Sequence, residues 1–273
     1  MDKQALKDLL EGRRGLINPE HYGFVRADQR GRRTPGLSQH QVDQLINRSP
    51  GSCYRLENGR WKNPPDQVLR DVALLYGLDE QDWVSLYRYA GKGDPPGPLY
   101  PRSGKEVPGA WQRALDGMVD MAYVTDCSWE VVAHNAPCQQ MFPSGVVPQN
   151  TMRWMLLSSE ARQILLDWEH AWAPFVLPQL RAAIAARPDD PILHGIEADV
   201  LADPVTRKIY ESGVPYIHPD GDERPLYHAR KGPGWVTMCA AQPMAAPGSR
   251  LIILIFRAGE QRLHLRPPVL RAH

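Results

Sequence analysis

The chain has only four cysteines among 273 residues: Cys53, Cys127, Cys138 and Cys239, far apart and with no CxxC pair. Such spacing offers neither a disulfide framework nor a thiolate metal site, and it fits reduced, mostly buried thiols in a cytoplasmic protein. His134, His170, His194, His218 and His228 are just as scattered, so no metal is expected. Long apolar runs are missing too. The longest, LIILIF at 251–256, is far too short to span a bilayer and reads as a buried strand. The N-terminal MDKQALKDLLEGRRG alternates charge and has no apolar h-region, so neither a secretory signal nor a membrane partner is expected. GxSxG, a P-loop, GxGxxG and HExxH are absent. No catalytic residue is named, and an enzyme is not expected.

Net charge is also nearly absent, at +1, but its distribution is uneven. Residues 1–92 carry 15 Lys/Arg against 12 Asp/Glu (+3), and residues 93–273 carry 17 against 19 (−2). Within 26–62 the balance is 8 basic to 3 acidic (+5). A nucleic-acid footprint would sit there.

The length suggests two domains. Ala5, Leu6, Leu9 and Leu10 predict a helix over roughly 2–13, followed by a basic Gly/Pro/Arg loop at 15–35 and short helices over 38–90. The stretch GKGDPPGPLYPRSGKEVPG reads as a linker, centred on 93–109, after a first domain at 1–92. A second domain is expected at 110–258, with a tail at 259–273. It opens with a helix near 110–118. Strands at 122–126 and 129–135, a helical middle at 151–212, and strands at 225–230, 234–242 and 250–256 follow. That order implies an α+β domain, an antiparallel sheet with helices on one side.

The most informative stretch is LSQHQVDQLINRSPGSCYRLENGRWKNPPDQVL. Ser38 and Gln41 make a capping box, and Leu37, Val42 and Leu45 form the buried face of a two-turn helix. Asn47 falls where the turn needs a left-handed residue. Ser49 is expected to cap the next helix with Pro50 in its first position. Cys53 and Leu56 pack inward, and Asn58-Gly59 closes the helix. Two short helices joined by a tight turn are a helix-turn-helix, whose second helix can enter a major groove.

This segment resembles the DNA-binding domain of the phage-repressor (XRE) family, whose recognition helix ends in R-[IL]-E-N-G. Here Arg55-Leu56-Glu57-Asn58-Gly59 occupies that place. The resemblance implies an all-α domain on a double-stranded DNA operator. Gln39 would touch phosphate, Gly51, Ser52 and Arg55 would face base edges, and Tyr54 would lie at the margin. Ser49 and Asn58, at the two ends of the helix, belong to the same surface. Arg32, Arg33, Arg48, Arg60 and Lys62 would neutralise phosphates. Two residues depart from the pattern: Gly51 supplies no reading side chain, and Cys53 replaces a larger aliphatic residue.

The rest of the chain is similar to the MmyB-like regulators, bacterial factors that join an XRE domain to a PAS-like sensor. RRTPGLS, LYRYAGKGDPP, MAYVTDCSWEVVAHN, NTMRWMLLSSEAR and LDWEHAWAPFVLPQLRAAIAARPDD carry the likeness. It implies a multidomain regulator with a PAS-like α+β domain and a long-chain fatty acid as ligand. The residues themselves permit an apolar site. Six of the eight tryptophans lie in this half, and Trp154, Trp168 and Trp172 are candidate walls. Arg153 is the candidate partner of a carboxylate, with Tyr123 or Asn135 as hydrogen-bond donor. Against these stand structural readings: the tryptophans as plain core, Asn135 as the N-cap of a helix at Pro137, and Arg153 paired with Asp126 or Glu160. The expected function is a ligand-responsive, homodimeric transcription regulator. Its alternatives are a constitutive DNA binder whose second domain dimerises or recruits RNA polymerase, and a haem or flavin sensor.

Overall fold

Leu6 and Leu10 lie one helical turn apart and are fully buried, and they fix the inner face of helix α1 (Lys3–Gly15). Asp2 caps it by accepting from the Ala5 amide. The computed structural model describes residues 1–24, 36–212 and 221–260. The chain divides into two compact units that meet at Pro101 and Arg102.

In the first unit, α1 is followed by a 3-10 turn at Pro19–Tyr22 and by helices α2 (Gln39–Leu45), α3 (Ser52–Glu57), α4 (Asp66–Leu75) and α5 (Glu80–Tyr89). Leu37, Val42, Leu56, Leu69 and Leu86 meet in one core, with Trp83 set edge-on to Tyr87 at 4.5 Å between centroids. The first half of the Gly/Pro-rich stretch belongs to this core rather than forming a free spacer. Leu99 is buried there. The Trp83 indole donates to the Gly97 carbonyl at 2.9 Å, and the Glu80 carboxylate accepts from the Leu99 and Tyr100 amides. Proline and glycine exclude a helix here, but one buried leucine together with these hydrogen bonds docks the segment.

The second unit starts with the remainder of that stretch. The Cys127 amide donates to the Gly104 carbonyl, and Lys105 pairs with Asp190 at 3.1 Å and Asp126 at 3.4 Å. Helix α6 (Ala110–Asp116) leads into β1 (Met121–Thr125), β2 (Val131–His134) and α7 (Ala136–Gln139). A helical block follows: α8 (Thr151–Leu157), α9 (Ser159–Ile164), a π-helical turn at Trp168–Trp172, α10 (Ala173–Ala186), α11 (Pro191–Ala202) and α12 (Pro204–Glu211). Strands β3 (Glu223–His228), β4 (Gly232–Ala241) and β5 (Arg250–Ala258) complete the sheet. Its order is β2-β1-β5-β4-β3, with every pair antiparallel.

This is the expected PAS-like α+β arrangement with a helical insert. Met121, Leu226, Val236, Ile252 and Leu254 turn one face of the sheet toward the helical block and form the larger core. The expectation that helices cover one side only is corrected by α6. Its Leu115 packs with Ala122, Val124 and Leu251 on the opposite face, because those residues are the apolar members of the alternate strand positions. No helix among the described residues is long and apolar enough to cross a membrane.

Candidate DNA-reading surface and ligand cavity

The helix-turn-helix is built as the residues dictate at its first end. The Gln41 amide donates to Ser38 Oγ at 3.2 Å, while Gln41 accepts from the Ser38 amide at 2.8 Å, closing the capping box. Asn47 has φ of 52°, the left-handed turn residue. The start of the second helix differs from expectation. Ser49 does not cap it. The N-cap is Gly51, in the left-handed region at φ 84°, and Ser49-Pro50 forms the turn before it. The amides freed at this end are taken by a side chain from α2: Asp43 accepts from Gly51 at 2.6 Å and Cys53 at 2.7 Å. Asp43 is buried, so it fixes α3 against α2 through charge-assisted bonds. The left-handed backbone also accounts for a glycine at this position.

A second buried acid anchors the other end of α3. Glu57 accepts from Arg14 Nε at 2.6 Å and from Gln39, while Arg14 also donates to the Leu37 carbonyl at 2.7 Å. Gln39 therefore spends its side-chain amide inside the protein. Cys53 fills the space beside Glu57 and the Tyr76 hydroxyl. Burial, with the Glu57 charge, pushes its thiol up to about 12, so it packs as an inert neutral group. Ser52, expected at base edges, is buried, and its hydroxyl accepts from Arg55 at 3.3 Å.

What remains outside is basic. Tyr54, Arg55, Arg60 and Lys62 are exposed and Asn58 is half-buried, its side-chain amide donating to the Tyr54 carbonyl. The Arg55 guanidinium lies 5.0 Å from the Trp61 ring and that of Arg60 5.1 Å from the Tyr54 ring. Arg48 is exposed and pairs with Asp71 at 3.2 Å. Arg32 and Arg33 lie outside the described residues. Two of the three acids in the basic segment, Asp43 and Glu57, are buried, so among its described residues Arg48, Arg55, Arg60 and Lys62 are exposed with no exposed acid of that segment beside them.

In the second unit a cavity lies between the sheet and the helical block, bounded by Tyr123, Trp129, Trp154, Trp172, Arg224 and Arg250. Met141, Met155 and Met238 contribute flexible thioethers. The walls leave about 60 Å³ of room. Of the six residues read from the sequence, Tyr123, Trp154 and Trp172 line it. The other three are elsewhere. Asn135 is the buried N-cap of α7, accepting from the Cys138 and Ala122 amides and donating to the Asp120 carbonyl at 2.8 Å. Arg153 is half in solvent, paired with Asp199 at an open groove. Trp168 packs in the core and donates to the Met155 carbonyl.

Sequence reasoning missed both cavity cations. Arg224 is buried and held by Asp222 at 2.7 Å, over the Phe175 ring at 4.3 Å. Arg250 heads β5 with its guanidinium carbon 3.9 Å from the Trp129 ring. A signal existed: Arg250 shares strand parity with Ile252, Leu254 and Phe256, the face turned inward.

Comparison with known protein families places these two sites in context. A helix-turn-helix domain profile matches residues 28–84, so the first unit is a helix-turn-helix DNA-binding domain. The profile of the MmyB-like transcription regulator ligand binding domain matches residues 107–262, and the chain belongs to that family. Among curated proteins no relative matches the chain. The protein is thus a transcription regulator with a DNA-binding and a ligand-binding domain.

Proposed function

We propose that the chain is a ligand-responsive regulator whose second unit takes an apolar, fatty-acid-like molecule and whose operator binding depends on that molecule. The observation that carries this reading is the apolar cavity, which lies within the ligand-binding family match and is walled by tryptophans and three methionines. Burial of an acyl chain contributes about 0.8 kcal/mol per CH₂, so a chain of twelve or more carbons binds well once the thioethers move aside. On DNA the protein acts as a homodimer, with two recognition helices on half-sites about 34 Å apart. Arg55 reads a base, and Arg48, Arg60, Lys62 and the basic segment at 26–35 neutralise phosphates. Native mass spectrometry of freshly purified protein should detect bound C12–C16 acids. Operator shifts with stripped and reloaded protein should differ in affinity. Identical shifts would remove the coupling.

One observation favours a second reading, a constitutive DNA binder whose C-terminal unit serves dimerisation or RNA polymerase. A room of about 60 Å³ is small beside the roughly 300–1,000 Å³ of common ligand sites. Protein that purifies empty and shows no thermal shift with any amphiphile supports this reading instead. A visible absorption spectrum tests the haem or flavin alternative, which predicts a coloured protein.

A further inference from the structure

The cavity wall holds two arginines in different electrical states. Arg224 is neutralised in place by Asp222 and covered by Phe175. Arg250 has no such partner. Its Nη1 is buried without a hydrogen-bond acceptor among the described residues, and so is Thr125 Oγ1. These two residues are paired directly across β1 and β5, which sets their side chains on one face of the sheet. Tyr123, two residues before Thr125 on the same face, also lines the cavity.

The nearest carboxylate is committed elsewhere. Asp126 accepts from the Ser128 amide at 2.7 Å and the Glu130 amide at 2.9 Å, and pairs with Lys105. Below the guanidinium lies Trp129, held at φ 65°, a left-handed conformation that bulky residues avoid. This residue closes the turn from Asp126 and sets its indole under a half-buried cation that has no ion-pair partner among the described residues. A buried charge without a partner is unfavourable unless something supplies the missing anion.

We infer that Arg250, with Thr125 and Tyr123 beside it, docks the carboxylate of an amphiphile whose tail runs along Ile252 and Leu254; this rests on the ligand-binding reading above. The planar guanidinium matches a carboxylate in a two-pronged fashion. Burial pushes the Tyr123 phenol up and keeps it a donor. Burial also lowers the Arg250 pKa; the guanidinium stays charged all the same, and an incoming anion offsets its desolvation. A single positive group suits a singly charged head better than a phosphate monoester. Ile252 and Leu254, the next two inward positions of β5, are themselves in the wall, so a head at Arg250 lays the chain over apolar surface.

The test compares dodecanoate with dodecanol on delipidated full-length protein at pH 7.5 by calorimetry. The wild type should prefer the acid by about ten- to a hundredfold. Arg250→Gln should reduce the preference to within about twofold while leaving alcohol affinity intact, which also certifies that the cavity is folded. Arg153→Gln, at the open groove outside the cavity, should keep the preference. Equal affinity of the wild type for acid and alcohol would overturn the anchor but leave an apolar ligand site standing. A preference that survives in Arg250→Gln would overturn it as well. Binding of neither compound by the wild type would overturn the ligand reading and the anchor together. Should Arg250→Gln take up neither, Arg250→Lys decides: a retained preference supports the anchor and equal affinities overturn it.

Discussion

The two units differ in whether they leave a charge inside without a partner. In the DNA-binding unit each buried acid is saturated: Glu57 by Arg14 and Gln39, Asp43 by the Gly51 and Cys53 amides at the start of α3. In the ligand-binding unit the cavity keeps one cation compensated, Arg224, and one without a counter-ion, Arg250. Saturated charge fixes geometry. Recognition of DNA needs α3 held still, and two carboxylates, one near each end of a six-residue helix, do that. Uncompensated charge costs stability and reserves a place for something else. A regulator needs both, and here the second unit holds saturated charge at Asp126, Asp190 and Arg224 beside the cation without a counter-ion.

Five substitutions can break or sharpen this contrast. Glu57→Ala strands Arg14 in the core and should cost about 3–5 kcal/mol in chemical denaturation of the whole chain. A loss below about 1 kcal/mol would mean that the pair is dispensable. Asp43→Ala leaves the Gly51 and Cys53 amides without their acceptor, an expected loss of about 1.5–3 kcal/mol, together with weaker operator binding in a gel shift. Gly51→Ala forces a side chain into φ 84° and should cost about 1–2 kcal/mol, although space around the position is open. Arg250→Met has the opposite sign. Removing an uncompensated cation, less its contact with Trp129, should raise the stability of ligand-free protein by about 1 kcal/mol, seen as a higher melting temperature. A fall of the same size would erase the difference between the units. Arg55→Ala should leave stability within about 0.5 kcal/mol yet forfeit about 1–3 kcal/mol of discrimination at one base pair, measured against a panel of operator variants.

Local chemistry was legible in the sequence and non-local chemistry was not. The Ser38–Gln41 box, Asn47 and the five strands all follow from neighbours within a few residues, and they stand as read. The cap of α3 was misread at Ser49 because Ser-Pro is a good local start signal. The group that performs the task, Asp43, sits on the preceding helix, and its role depends on how the two helices pack. Ser52 was placed outside by family resemblance, but a six-residue helix turned by Gly51 and drawn in by Asp43 buries it. The cavity shows the same division. Trp154 and Trp172 reach it, but Trp168 does not, since the π-helical turn between Trp168 and Trp172 alters which face each presents. Arg153 lies beside Trp154 in sequence, yet adjacent helical residues point about 100° apart. Arg250 lay in view as a cation on the inward parity of an apolar strand.

Three thioethers around so small a room have a consequence for what such a regulator can tell apart. Unbranched and pliable, Met141, Met155 and Met238 yield to a longer tail as readily as to a shorter one. Under the ligand reading proposed above, a yielding wall along the chain and a fixed charge at one end would suit the molecule to gauge a pool of acids by abundance rather than any one acid by its length.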